Sequence, residues 1–183
     1  MDTNTQTEVA VFGGGCFWCT EAIFTALKGV FKVMPGYTGG EKANPTYEEV
    51  SNGNTGHVES IRLEFDPSII SYDDLLAVFF NTHDPTTLNR QGNDVGTQYS
   101  SAIFYSSDDQ KKKAEDVIKE LTDQKAYDKP IVTVVRPLKQ FYEAEDYHRE
   151  YYATHKDQPY CQIIIAPKLE KLEKRFQELV KTG

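Results

Sequence analysis

The apolar run Val9-Ala10-Val11-Phe12 stops on Gly13-Gly14-Gly15, and Cys16 follows directly. Ile23, Ala26, Leu27 and Val30 then recur at helical spacing, with Gly29 where a C-terminal helix glycine is expected. The segment reads as strand, glycine loop and helix, and this order narrows the fold more than any other feature. Val30 to Val33 opens a second extended segment that should end at Pro35-Gly36.

Further along, Tyr37 to Gly56 is rich in Gly, Pro, Asn and Thr, which predicts a long surface excursion with a brief helical piece around Tyr47-Glu48-Glu49-Val50. Val58 to Phe65 alternates, with Ile61, Leu63 and Phe65 on one face, and predicts a half-buried strand. Ser71 to Phe80 reads as a helix burying Leu75, Leu76, Phe79 and Phe80, with Asp73 and Asp74 near its N-terminus. A polar loop from His83 to Thr97 precedes an expected strand, Tyr99 to Tyr105. A helix marked by Ala114, Val117, Ile118 and Leu121 follows, with Lys111-Lys112-Lys113 on its solvated side. Ile131 to Val135 reads as a strand, and Leu169, Leu172, Phe176 and Leu179 as an amphipathic closing helix. The fold class is therefore α+β: a two-layer sandwich with a split βαβ, ferredoxin-like core sheet and irregular C-terminal excursions. Residues 1–183 are expected to form a single catalytic domain with 1–7 as a flexible tail.

A chain of 183 residues can bury roughly 70% of its unfolded surface, so its core needs neither disulfides nor a metal. Its cysteines are free for chemistry. Twenty Lys and Arg against twenty-eight Asp and Glu give a net charge of −8, which repels nucleic acid and anionic membrane surfaces. The N-terminal residues have no basic or apolar leader pattern, and no apolar stretch reaches spanning length, so a cytoplasmic location is expected. Three cysteines are an odd number without framework spacing, which fits a reducing compartment.

Cys16 stands where a glycine turn meets a helix N-terminus. Unpaired amide N–H groups and the helix dipole there should favour a thiolate, which makes Cys16 the candidate nucleophile. A dinucleotide fingerprint fails at Trp18, which occupies the third glycine's position, and no Lys-Ser or Lys-Thr pair ends the loop as a phosphate-binding loop requires. Phe17 and Trp18 offer an apolar pocket for a small uncharged group such as a methyl. Cys19 reads either as a packed helix residue or as a resolving cysteine. Helical neighbours at this spacing have Cβ atoms ~5–6 Å apart, against about 3.8 Å in a disulfide, so a bridge requires the first turn to loosen.

Glu59 shares the face of Ile61, Leu63 and Phe65, so burial should raise its pKa and keep it protonated as a general acid. The four histidines, His57, His83, His148 and His155, are not paired at helical metal-site spacing. One C-x-x-C is only half of a common zinc motif, and no metal is expected. Tyr142, Tyr147, Tyr151, Tyr152 and Tyr160 read as packing or rim residues.

Six segments then fall in one order: Gly15-Cys16-Phe17-Trp18, Gly36-Tyr37-Thr38-Gly39-Gly40, Asn44-Pro45-Thr46-Tyr47, Thr55-Gly56-His57-Val58-Glu59, Asp94-Val95-Gly96-Thr97-Gln98-Tyr99 and Ala144-Glu145-Asp146-Tyr147-His148. From about Phe12 to the closing helix the chain resembles the A class of peptide methionine sulfoxide reductases. The resemblance implies repair of oxidative damage, with Cys16 attacking the sulfur of an S-epimer methionine sulfoxide, free or in proteins, while Glu59 protonates its oxygen. Tyr47 and Tyr99 would hydrogen-bond that oxygen, Asp94 would join the polar network, and Phe17 with Trp18 would hold the methyl. The product would be methionine and a Cys16 sulfenic acid, condensed to a disulfide by a second cysteine and recycled by thioredoxin or another dithiol. No cofactor is implied, and a monomer is expected.

The sequence departs from the commonest family pattern in having Cys19 where a glycine often stands, and in ending with a helix instead of a glycine-rich, cysteine-bearing tail. Cys161, in Pro159-Tyr160-Cys161-Gln162, matches a region that supplies resolving cysteines, and Ile163-Ile164-Ile165 follows it. Cys19 and Cys161 both stand as candidates. Two other functions fit parts of the chain: a thioredoxin-like exchanger using Cys16-Cys19, and a non-catalytic methionine-binding domain.

Overall fold

Strand β1 (Glu8–Gly14) runs through the interior of a six-stranded sheet with the order β7-β6-β1-β3-β2-β8. The structure is a computed structural model describing residues 6–182, so the first five residues of the expected 1–7 tail lie outside the described part. The other strands are β2 (Val30–Thr38), β3 (Val58–Phe65), β6 (Ser101–Tyr105), β7 (Val134–Pro137) and β8 (Phe141–Glu143). β4 (Arg90–Gln91) and β5 (Asp94–Val95) form a separate small hairpin. β1 is antiparallel to β3 and β6, and β2 to β3 and β8, whereas β6 and β7 are parallel. β1 and β2 thus point the same way on either side of β3. The sheet is wider than the split βαβ unit read from the sequence, because β7 and β8 extend it and the parallel pair makes it mixed.

Alternation along β1 separates two apolar faces. Ala10 and Phe12 join the main core, while Val11 joins a smaller cluster with Val58, Ala102 and Phe104 on the opposite face. Helix α1 (Phe17–Thr25) and α3 (Tyr72–Thr82) lie on the Phe12 side. The Phe12 ring packs 5.4 Å from Phe24 and 5.0 Å from Phe79. α4 (Asp108–Asp123) adds Ala114 to this core, and α6 (Ala166–Arg175) adds Leu172. Ser71 and Asp74 cap α3 reciprocally, and α2 (Tyr47–Ser51) carries the same box through Thr46 and Glu49.

β2 does not stop at Pro35-Gly36 but continues to Thr38. Neighbours override the local turn signal: β3 pairs along its whole length, and β8 approaches so closely that a Cβ at Gly36 would lie 2.4 Å from the Tyr142 carbonyl oxygen. The expected excursion therefore begins after Thr38, and Tyr37 is a buried sheet residue. Tyr99 likewise leaves the strand expected for it. A 3₁₀ turn over Thr97–Tyr99, entered through Gly96 at φ +148°, delays β6 to Ser101. The strand read at 131–135 forms three residues later, because Val132 donates its N–H to the Pro85 carbonyl instead of entering the ladder. The closing helix ends at Arg175, and Phe176 and Leu179 reach the core from the segment beyond it. Among the described residues no helix is long and apolar enough to cross a membrane.

Candidate active site

The glycine run is a packing requirement. A Cβ at Gly13 would meet Val58 Cγ1 at 2.7 Å, and one at Gly15, where φ is +92°, would meet Gln91 at 2.7 Å. The turn delivers Cys16 as the N-cap of α1, half-buried, with ψ 124° and no side-chain capping bond. Its carbonyl accepts the Cys19 N–H at 3.1 Å. Because Cys16 lies outside the helical conformation, its link to Cys19 is an N-cap-to-N3 relationship, within which side chains ordinarily reach back across the first turn.

An acid takes the place of the missing cap. Glu59 projects from β3, opposite Tyr37 in the β2 register, and its Oε1 accepts the Phe17 N–H at 3.2 Å. Only 1% of Glu59 is exposed, and Oε2 is buried without a partner. Burial, reinforced by the charges of Asp94 and Cys19 and opposed by the Phe17 N–H, pushes its pKa up to about 8. Glu59 is therefore mostly a neutral acid at pH 7, as the strand pattern predicts.

The thiols divide charge differently from the expectation. Hydrogen bonding to Cys19, then burial and the charges of Cys19 and Glu59, raise Cys16 well above an ordinary thiol. Cys19 is lowered to about 7 by the Cys16 hydrogen bond, helped by Lys168 and the Tyr160 hydroxyl against the cost of burial. The resting negative charge belongs on Cys19, with Cys16 donating to it. The helix start alone favours a Cys16 thiolate, but the neighbouring sulfur and the buried acid outweigh it. Cys161 is fully buried in the same apolar cluster as Cys19, with Cys16 and Trp18 packed against it.

Aromatic rings wall the site. Trp18 is half-buried, donates its indole N–H to His148 Nδ1 at 3.0 Å, and stacks on Tyr151 at 3.7 Å and 6°. Phe17 has no exposed surface; it backs the wall, 5.7 Å from Tyr37 and 4.9 Å from His148. Burial, then the charges of Glu59 and Cys16, raises the Tyr47 hydroxyl. Tyr99 is raised by burial and by Glu59, Tyr47 and Cys16, so both tyrosines lie in the field of Glu59 and Cys16. Asp94 accepts the Tyr160 hydroxyl at 2.8 Å, and that oxygen lies 3.6 Å from Cys19 Sγ.

The structure thus gathers Cys16, Phe17, Trp18, Cys19, Tyr47, Glu59, Asp94, Tyr99 and Cys161 around one helix start. It adds His148, Tyr151 and Tyr160, two of which the sequence reading treated as packing or rim tyrosines. His148 is buried, and burial lowers its pKa; with Nδ1 accepting from Trp18, Nε2 carries the proton and has no partner. Only the Ala144–His148 motif pointed toward these residues. A cleft of about 600 Å³ lined by His83, Gln91, Tyr127, Lys129, Lys168 and others contains none of the predicted site residues. Among the described residues no group of three or more His, Cys, Asp or Glu side chains is placed to hold a metal.

Known proteins share this arrangement of chain. A family profile described as peptide methionine sulfoxide reductase matches residues 8–180. The peptide methionine sulfoxide reductase MsrA of Saccharolobus solfataricus is 55% identical over 174 residues, 95% of this chain and 97% of that protein. Mxr1 from Saccharomyces cerevisiae in its reduced form is similar with a TM-score of 0.80 and 31% identity, over 86% of this chain and 91% of that one. Mxr1 has also been solved in complex with Trx2; that structure shares the fold at a TM-score of 0.57 and 23% identity, over 81% of this chain and 86% of that one.

Proposed function

The chain belongs to the peptide methionine sulfoxide reductase family, oxidoreductases that act on sulfur groups, and from that membership we propose that it reduces methionine-S-sulfoxide, free or in oxidised proteins, with Cys16 as nucleophile. The observation that carries this reading is the buried, unpartnered Oε2 of a neutral Glu59 beside the mouth of α1 where Cys16 stands. A sulfoxide sulfur is a poor electrophile until its oxygen is protonated or strongly hydrogen-bonded. Glu59 Oε2 and the hydroxyls of Tyr47 and Tyr99 supply those donors, and Trp18, backed by Phe17, holds the methyl.

Cys16 loses its proton along the hydrogen bond to Cys19 as its sulfur bonds to the sulfoxide sulfur and Glu59 protonates the oxygen. The oxygen ends on Cys16 as a sulfenic acid, and methionine leaves: sulfoxide plus thiol becomes thioether plus sulfenic acid, with all atoms conserved. A second thiol then attacks the Cys16 sulfur, expelling water and forming a disulfide. Cys19 takes this resolving role first, because it is hydrogen-bonded to Cys16 and carries the lowered pKa. Cys161 lies in the same cluster and can receive the bridge afterwards. Asp94 acts through Tyr160, whose hydroxyl it holds against Cys19.

The two electrons come from thiols, so no prosthetic group is required. A thioredoxin, the class of partner seen with Mxr1, or another dithiol restores the cysteines. All the site residues come from one chain, so a monomer suffices, and three free cysteines suit a reducing compartment such as the cytoplasm. The family match over residues 8–180 favours sulfoxide reduction over simple disulfide exchange through Cys16 and Cys19. Turnover of resolved sulfoxide epimers with dithiothreitol tests the proposal. We expect reduction of the S-epimer alone and complete loss in Cys16→Ser; reduction of the R-epimer, or activity surviving that substitution, would refute it.

A further inference from the structure

Glu145 is half-buried beside the site without reaching the reacting atoms. One carboxylate oxygen accepts the Tyr37 hydroxyl at 2.9 Å, and the other accepts the Tyr47 backbone N–H at 3.0 Å. Tyr47 is the first residue of α2, so its N–H has no acceptor within the helix. The reciprocal cap of Thr46 and Glu49 uses the N–H groups of those two residues and leaves that of Tyr47 to Glu145. Tyr37, fully buried, stands opposite Glu59 in the β2–β3 register and packs on Phe17. A single carboxylate therefore joins the sheet position facing the acid to the helix that carries Tyr47.

The segment holding Glu145 is itself fixed. The Ala144 N–H bonds the Pro35 carbonyl at 2.8 Å, and Glu143 pairs with Gly36 in the sheet. Burial pulls the Glu145 pKa up, but the N–H groups of Tyr47 and Glu145 and the Tyr37 hydroxyl outweigh it, so the carboxylate is ionised and is not a proton donor at neutral pH. The Tyr37 hydroxyl, committed to Glu145, is not a donor to substrate either.

Resting on the reductase reading above, we infer that Glu145 is a positioning residue: its carboxylate clamp on Tyr37 and on the start of α2 sets where the Tyr47 hydroxyl meets the sulfoxide oxygen. Small misplacements of an oxygen-binding donor are costly because such a donor works only when preorganised. In Glu145→Gln the amide oxygen can still accept the Tyr47 N–H while the NH₂ donates to the Tyr37 oxygen, so the clamp survives; Glu145→Leu, of similar size, removes both acceptors and opens it.

The test is a double-mutant cycle on the single-turnover rate of methionine formation from the S-epimer, with KM measured in parallel. Glu145→Leu should slow the reductive step about 10-fold with KM changed less than about 2-fold, and Glu145→Gln should restore most of that loss. In a Tyr47→Phe background, which lacks the hydroxyl being positioned, Glu145→Leu should cost less than about 2-fold. Tyr37→Phe, which removes the other half of the clamp, should follow the same pattern with a smaller loss, and it decides the matter if the Glu145 variant does not fold. An undiminished rate in Glu145→Leu would overturn the inference. So would an equal loss with and without the Tyr47 hydroxyl, the mark of a merely structural role. Absence of S-epimer turnover by the wild type would sink the functional reading itself and the inference with it.

Discussion

Glu59 Oε1 accepts the Phe17 N–H at 3.2 Å, so the buried acid is also the cap of the helix that begins beside the nucleophile. One oxygen of the carboxyl is fixed by the backbone and the other is buried without a partner.

Replacing Glu59 by Gln keeps an acceptor for Phe17 but removes the proton. The reductive step should fall by about 10²–10⁴-fold, the range of general acid catalysis. Stability should move the other way. The folded protein holds this proton up to about pH 8, whereas the unfolded chain releases it near 4.5, so the Glu59 contribution is fully present below about 4.5 and is lost as pH rises toward 8. Glu59→Gln should be more stable than wild type by about 1–3 kcal/mol at pH 8 and indistinguishable at pH 4, as read from urea unfolding.

The single-turnover rate should be bell-shaped in pH. It rises through about 7 as Cys19 ionises and can take the Cys16 proton, and it falls beyond about 8 as Glu59 loses its own. Cys19→Ala should shift the rising limb toward the ordinary thiol value of 9.0 and leave the falling limb in place. A rising limb unmoved by that substitution would remove Cys19 from the proton path.

Recycling is read by peptide mapping under non-reducing conditions after one turnover without reductant. We expect a Cys16–Cys19 bridge in wild type and in Cys161→Ser alike. A Cys16–Cys161 bridge in the wild type, with none in Cys161→Ser, would assign resolution to Cys161, and the absence of any Cys16 disulfide would refute the scheme.

Trp18→Phe keeps an aromatic wall but removes the indole N–H that His148 Nδ1 accepts, leaving a buried imidazole with no donor partner. Losing that bond costs about 1–2 kcal/mol, expected as a KM for the S-epimer raised about 10-fold. An unchanged KM would mean that this hydrogen bond does not set the pocket.

Local pattern located the parts of the site that short-range geometry controls. Alternation from Val58 to Phe65 pointed Glu59 inward, and the glycine turn placed Cys16 at the helix start, because strand period and turn chemistry are properties of neighbouring residues. Tyr47, Tyr99 and Asp94 were assigned only through the resemblance; no spacing distinguishes them among eleven tyrosines and many carboxylates. His148 stands in the Ala144–His148 motif, but its contact with Trp18 was not legible, since that bond spans 130 positions. The Cys16 charge was misread for a related reason: the helix start is a local feature, but the sulfur and carboxyl that outweigh it become neighbours only in the folded chain.

His148 and Tyr151, which hold the Trp18 indole, come from a stretch of chain far along the sequence from α1. A chain cut at residue 143 contains Cys16, Glu59, Tyr47 and Tyr99 but lacks the acceptor of the indole N–H. The Trp18 anchor thus depends on a partner 130 positions away along the chain.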